Sequence, residues 1–242
     1  MTSSLVPRPS SLPLWIVVPA AGVGRRMGTE VPKQYLDLCG KPIIVHAIER
    51  LAALPGVQGI MVAVSQEDRY WRQTRPTLEV PLWTTGGGVE RCDSVLNALQ
   101  DLGQYAADED WVLVHDAARP CVRRGDVECL IDSLRDDTVG GLLARPVSDT
   151  MKRAGANRRV VRTEDREGLW HALTPQMFRL GLLRHALEQA IEYESPVTDE
   201  ASAMELAGHQ PLLVEGHADN IKITRPEDLS LAAYYLQQQA TP

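Results

Sequence analysis

A chain of 242 residues with 44% apolar residues is long enough for one large α/β unit with a sizeable core. Its net charge of −7 excludes a general nucleic-acid binder. No apolar run reaches the ~18 residues of a membrane span.

The first twelve residues, Met1 to Leu12, are rich in Ser and Pro and lack an apolar h-region. They read as a flexible tail rather than a signal peptide, ahead of a single domain over 13–242. The apolar run Trp15–Val18 is the first predicted strand. A loop of small residues and cations follows, Pro19-Ala20-Ala21-Gly22-Val23-Gly24-Arg25-Arg26-Met27, and then Lys33. Small residues let backbone N–H groups approach a ligand, and Arg and Lys supply charge for a polyphosphate. The dinucleotide fingerprint G-x-G-x-x-G fails here because Met27 stands at its third glycine. The P-loop string is also missing. The segment therefore reads as a nucleoside triphosphate loop, although a turn with surface cations has the same composition.

Helix Ile43–Leu54, strand Gly59–Val64, helix Cys92–Leu102, strand Trp111–His115, helix Val127–Leu134 and strand Gly141–Ala144 continue the alternation. Continuous apolar strands alternating with helices predict a doubly wound, mostly parallel sheet, which binds ligands beyond the carboxyl ends of its strands. The glycine loop Gly86-Gly87-Gly88 precedes the second of these helices, whose first turn holds Asp93 and Ser94. It suits close approach to a base or ribose, and equally an ordinary turn. His115-Asp116-Ala117-Ala118-Arg119-Pro120 closes the third strand. A carboxylate there, facing a phosphate loop, is what Mg²⁺ requires; a cap is the alternative. Arg119 would face a second anion, and His115 reads as structural.

From about 146 to 171 the rhythm breaks. Thr150-Met151-Lys152-Arg153, the turn Gly155-Ala156-Asn157 and Val160-Val161 predict a protruding β-hairpin arm. An arm that cannot bury itself packs on a partner subunit or stays a surface hairpin. Helix Phe178–Tyr193, helix Glu200–Ala207 and a short strand near Leu212–Val214 follow. Thr198 or Asp199 could cap the second of these helices. Lys222 between Ile221 and Ile223 reads as a strand residue facing away from them. A helix after Pro226 closes the chain, with Leu229, Leu231, Ala232 and Leu236 as its inner face. Cys39, Cys92, Cys121 and Cys129 stand singly, as free thiols in a reducing cytoplasm do.

Taken in order, P-A-A-G-x-G-x-R-M, P-K-Q-Y, G-G-x-x-R-x-x-S-V, V-H-D-A-A-R-P, D-T-M-K, G-L-W-x-A-L-T-P-Q, T-D-E-A-S and D-N-I-K-x-T-x-P-E-D resemble the 2-C-methyl-D-erythritol 4-phosphate cytidylyltransferase family, from about Trp15 to Leu236. The resemblance implies a Rossmann-like nucleotidyltransferase fold and transfer of CMP from CTP to methylerythritol phosphate, with Mg²⁺, in non-mevalonate isoprenoid synthesis. It further implies that Arg26 and Lys33 stabilise the pentavalent phosphorus and that Asp116 holds the metal. Ala20, Ala21, Gly22, Gly88 and Ser94 would contact CTP. Arg119, Thr198 and Lys222 would bind the acceptor. Thr150 and Arg166 would reach into the neighbour's site across a homodimer. Val89 departs from relatives that carry an acidic residue in this loop. Three rival readings are a cytidylyltransferase for another polyol phosphate such as ribitol 5-phosphate, a non-catalytic nucleotide-binding protein, and a dehydrogenase. Ala20-Ala21 in place of Gly-Gly disfavours the first, intact Arg26, Lys33 and Asp116 the second, and Met27 the third.

Overall fold

Strand β1 (Leu14–Pro19) is apolar on both faces because both faces are covered. Leu14, Ile16 and Val18 point into one core layer, Trp15 and Val17 into the other. The structure is a computed structural model that describes residues 12–22 and 31–240. The tail and Arg26 thus lie outside the described residues, apart from Leu12.

A short 3-10 turn at Lys33–Tyr35 and the small hairpin β2 (Asp37–Leu38) and β3 (Lys41–Pro42) lead into α1 (Ile43–Ala52). Next come β4 (Val57–Val64), α2 (Trp71–Thr74), β5 (Leu82–Gly86), α3 (Arg91–Leu102), β6 (Trp111–Val114) and α4 (Arg124–Leu134). The order continues with β7 (Gly140–Pro146), β8 (Met151–Ala154), β9 (Val160–Glu164), β10 (Trp170–Arg179) and α5 (Leu180–Glu192). It closes with α6 (Glu200–Leu206), β11 (Leu212–Glu215) and α7 (Glu227–Ala240).

Seven strands form the main sheet in the order β11-β7-β10-β6-β1-β4-β5. Every neighbouring pair is parallel except the two made by β10, which is antiparallel to β6 and to β7. Helices α1 and α4 pack on one face through Ile44, Ile48, Leu51, Leu130 and Leu134. Helices α3, α5 and α6 pack on the other through Val95, Leu99, Leu183, Leu187 and Met204. The mostly parallel, doubly wound sheet is therefore as the alternation predicts. From β1 the chain moves outward through β4 to β5, then returns to place β6 on the opposite side of β1. This switch leaves a crevice beyond the carboxyl ends of β1 and β6.

Several predicted elements are corrected. Residues Phe178 and Arg179 belong to β10, so the helix expected from Phe178 begins at Leu180. Proline disfavours an interior strand position, and the β10–β7 pairing shifts register between Ala172 and Gln176, around Pro175. Strand β5, with mixed burial, gave no apolar run to recognise. Lys222 lies in a segment outside any strand. Leu231 is 42% exposed, whereas Ala232 and Leu236 are buried against Leu38 and Ile43. The hairpin β8–β9 forms its own two-stranded sheet between β7 and β10, with Val160 and Val161 exposed.

Close strand approach makes Gly141 a test of the edge pairing. A β-carbon there would lie 2.2 Å from the Leu212 carbonyl oxygen, a backbone atom that cannot swing away. Gly141→Ala is expected to cost about 1–3 kcal/mol of stability in urea unfolding; an unchanged midpoint would contradict the β7–β11 approach.

Candidate active site

The crevice at the switch point is a cavity of about 320 Å³. Pro19, Ala20, Ala21 and Gly22 form one wall where β1 ends, and Gly88–Arg91 with Ser94 form another. Asp116–Ala118, Lys33, Gln34 and Lys222 complete it. The end of β1 is pinned by Gln34, whose buried amide donates to the carbonyls of Ala20 at 2.7 Å and Gly22 at 3.1 Å. Gln34 therefore fixes its neighbour Lys33 beside the loop, and the Lys33 ammonium donates to the Ile223 carbonyl at 2.9 Å.

The glycine loop is shaped by what it must avoid. A β-carbon at Gly87 would lie 2.2 Å from that of Ala21, and one at Gly88 would lie 2.1 Å from that of Asp93. The loop thus packs directly on the first wall and on α3. Ser94 holds it there: its hydroxyl accepts from Gly88 N–H at 3.0 Å and donates to the Glu90 carbonyl at 3.1 Å.

Asp116 is the electrostatic centre. Its Oδ1 accepts from Arg91 Nε at 3.1 Å, and its Oδ2 pairs with Arg119 Nε at 3.3 Å and Lys222 Nζ at 2.9 Å. Burial would raise the pKa of this carboxyl, but the attraction of Arg91, Lys222 and Arg119 outweighs it and holds the group well below the usual carboxylate range. Arg91 also forks onto Glu200, Nη1 to Oε1 at 2.6 Å and Nη2 to Oε2 at 3.1 Å. Three cations, Arg91, Arg119 and Lys222, thus face two carboxylates, Asp116 and Glu200, in this cluster.

Backbone placement of Asp116 comes from β10. Asp116 N–H donates to Thr174 Oγ1 at 3.1 Å. His115 Nε2 bonds the Arg119 carbonyl at 3.0 Å, which makes Nε2 the protonated nitrogen. Its Nδ1 then accepts from the Thr174 hydroxyl at 3.0 Å. Burial pushes the imidazole pKa down to about 4, so His115 is a neutral, fully buried brace.

Comparison with known proteins supplies the context for this site. The family model described as 2-C-methyl-D-erythritol 4-phosphate cytidylyltransferase matches residues 14–238. The chain belongs to this family. A relative of that name from Pseudomonas entomophila is 52% identical over 89% of this chain and 92% of its own. One from Vibrio vulnificus is 50% identical over 92% of this chain and 94% of its own. The crystal structure of the Francisella tularensis member superposes with a TM-score of 0.80 at 35% identity, covering 92% of this chain and 99% of that one.

Of the residues expected to act in this cytidylyltransferase family site, the structure gathers Ala20, Ala21, Gly22, Lys33, Gly88, Ser94, Asp116 and Lys222 around one cavity. Arg119 stands behind that lining, donating to the Asn220 carbonyl at 2.7 Å and paired with Asp116. Thr198 is exposed outside the lining; its N–H donates to Ser202 Oγ at 3.1 Å, and Asp199 rather than Thr198 caps α6. Thr150 and Arg166 lie exposed at the arm, with an Arg166 guanidinium N–H donating to the Ser148 carbonyl. Within one chain they do not enter the cavity lining. Arg91 and Glu200 were not singled out from the sequence, although Arg91 is the fixed cation of G-G-x-x-R-x-x-S-V and Glu200 the second acid of T-D-E-A-S.

The residues present fit a magnesium ion held mainly by a substrate. Among the described residues no cluster of three or more His, Cys, Asp or Glu could cage a metal. Asp116 nevertheless presents an ionised carboxylate on the cavity wall, and its Oδ1 receives one hydrogen bond against two at Oδ2. One carboxylate plus phosphate oxygens and water is an ordinary Mg²⁺ environment.

Removing the Asp116 charge should unbalance the whole wall. At pH 7 Asp116→Asn is expected to cost about 3–5 kcal/mol, because it leaves buried cations uncompensated. The folded carboxyl titrates below the unfolded one, so its contribution is complete above the unfolded value of about 4 and is lost only as pH falls below it. Urea unfolding of both proteins should show a gap that is constant from pH 7 to 5 and narrows below about pH 4. A gap that closes near neutrality would refute this electrostatic account.

Proposed function

We propose that this chain transfers CMP from CTP to 2-C-methyl-D-erythritol 4-phosphate, releasing pyrophosphate, for isoprenoid precursor synthesis. Membership of the family supports the reaction, and one observation supports its location: Pro19–Gly22 of the triphosphate-type loop, the glycine loop, Lys33, Asp116 and Lys222 share one cavity. An oxygen of the acceptor phosphate attacks the α-phosphorus as the bond to the bridging oxygen of the β-phosphate breaks. That nucleophile is already an anion, so no side chain needs to remove a proton. Alignment and positive charge are what remain for the protein to supply.

In this reading Ala20, Ala21, Gly22, Gly88 and Ser94 bind CTP through the two small-residue loops. Lys33 and Arg26 stabilise charge at the reacting phosphorus. Lys222, with Arg119 and Thr198, holds the acceptor. Asp116 would hold Mg²⁺, which when bound neutralises charge on the triphosphate. The arm, with Val160 and Val161 exposed on an isolated two-stranded sheet, supports packing on a second copy, which would carry Thr150 and Arg166 to the partner's cavity. The cytoplasm is the compartment proposed; among the described residues all four cysteines are free and no helix is long and apolar enough to cross a membrane.

The deciding experiment measures pyrophosphate release from each nucleoside triphosphate with Mg²⁺, with methylerythritol phosphate, ribitol 5-phosphate or no acceptor. Release only with CTP and methylerythritol phosphate is the expected result. Faster release with ribitol phosphate would replace the acceptor, and CTP binding without release would replace catalysis by binding. Lys33→Ala should lower kcat by about 100-fold or more while changing CTP affinity much less, since its charge is needed in the transition state. Equal losses in both, by turnover and calorimetry, would contradict that role.

A further inference from the structure

Glu200 is a buried carboxylate, 1% exposed, that no step above uses. Among the described residues its charged partner is Arg91, gripped through both oxygens. Arg91 is the first residue of α3, directly after the glycine loop, and spends its remaining Nε on Asp116. Glu200 is the first residue of α6. That helix start is itself tied to β10: Gln176 Nε2 donates to Asp199 Oδ2 at 2.8 Å, and Gln176 Oε1 accepts from Ala201 N–H at 2.7 Å. A continuous chain of bonds therefore runs from β10 through α6 to Arg91, and from there to both the glycine loop and Asp116.

A guanidinium held by one carboxylate oxygen of Asp116 alone could pivot about that contact. The planar fork on Glu200 removes this freedom, because two parallel N–H···O bonds fix both direction and plane. We propose that Glu200 is a positioning residue: it locks Arg91, and through Arg91 sets the orientation of Asp116 and the seat of the glycine loop. This rests on the cytidylyltransferase reading of the cavity. It adds that the T-D-E-A-S segment, expected to meet the acceptor at Thr198, also braces the nucleotide side.

Two variants test it. Glu200→Gln keeps the shape and removes the charge; Glu200→Asp keeps a charge for Arg91 and shortens the reach, which guards against a variant that fails to fold. Both are compared with the unaltered protein well below their melting temperatures. Calorimetry with CTP gives the number of competent sites per chain, and steady-state assays give kcat. Loss of positioning predicts a kcat lower by about 10- to 100-fold in each variant. CTP stoichiometry should stay unchanged while CTP affinity weakens together with kcat, because the glycine loop that Arg91 seats is part of the CTP site; partial unfolding would lower the stoichiometry instead. Hydrogen exchange on the protein without substrates supplies a readout independent of the reaction. Amides of Gly88–Arg91 and of Asp116–Arg119 should exchange faster in Glu200→Gln, while those in the middle of α3 and β6 keep their rates. Wild-type exchange at both segments with undiminished kcat would overturn the proposal. A parent protein that shows no turnover, while its variant still exchanges faster at these segments, would instead overturn the reaction assigned above and leave the positioning role supported.

Discussion

The arrangement rests on a carboxylate that must stay charged inside the protein. Asp116 is 6% exposed, and an isolated carboxylate so placed would take up a proton rather than ionise. Three cations prevent this, and each comes from a different part of the chain: Arg91 after the glycine loop, Arg119 three residues on, and Lys222 from a distant crossing segment. The dependence is mutual, since Arg119 is itself buried enough that burial lowers its pKa, against the opposing pull of Asp116. A buried ion cluster is weak evidence for stability, because an apolar cluster of equal volume would fold as well or better. Its retention here is explained by what it presents: a cluster of three cations around two carboxylates in a chain whose overall charge is −7. Long-range attraction for polyanions cannot come from that overall charge, so it must come from local concentration of cations.

The antiparallel strand is what makes the cluster buildable. In a parallel sheet every strand ends at the ligand crevice and contributes only the loop that follows it. Because β10 runs the other way, residues inside it also reach that end of the sheet, and its pairing of Gln176 with Val114 sets Thr174 beside Asp116. Thr174 then serves three partners, accepting from Asp116 N–H, donating to His115 Nδ1 and offering its carbonyl to Asn220 at 2.8 Å. The Asn220 link fixes the segment that carries Lys222. Gln176 performs the matching task for α6 and Glu200. One strand thus aligns both the segment that brings Lys222 and the helix that brings Glu200.

What could be read from the sequence follows from how local the signal was. Strand β1 and strand β6, apolar throughout and buried on both faces, announce themselves, as do the loops of small residues and charges that follow them. Strand β10 does not, because Pro175 interrupts it and the chain passes from Arg179 into α5 without a loop. For Lys222 the expected side holds while the expected strand does not: Ile223 is buried and Lys222 faces Asp116, but the alternation belongs to a connecting segment rather than a strand. Arg91 and Glu200 are 109 residues apart and neither has a local pattern that marks a pair. Only the packing of both α3 and α6 against α5 in one layer brings them together, and no periodicity within either helix encodes that.

The same geometry explains why the cavity needs no acid or base of its own. Asp116 is held ionised, and His115 is held neutral down to about 4 with both ring nitrogens engaged. Between about pH 5 and 8, where an unperturbed imidazole would change charge, neither of these groups does. A site meant to shuttle protons would leave such a nitrogen facing the cavity; here the imidazole is turned inward and used to hold the Asp116–Arg119 turn. Under the proposed function this wall keeps a fixed charge while the phosphates bring theirs. That division suits phosphoryl chemistry, in which the nucleophile is already ionised and the protein contributes position and preorganised charge.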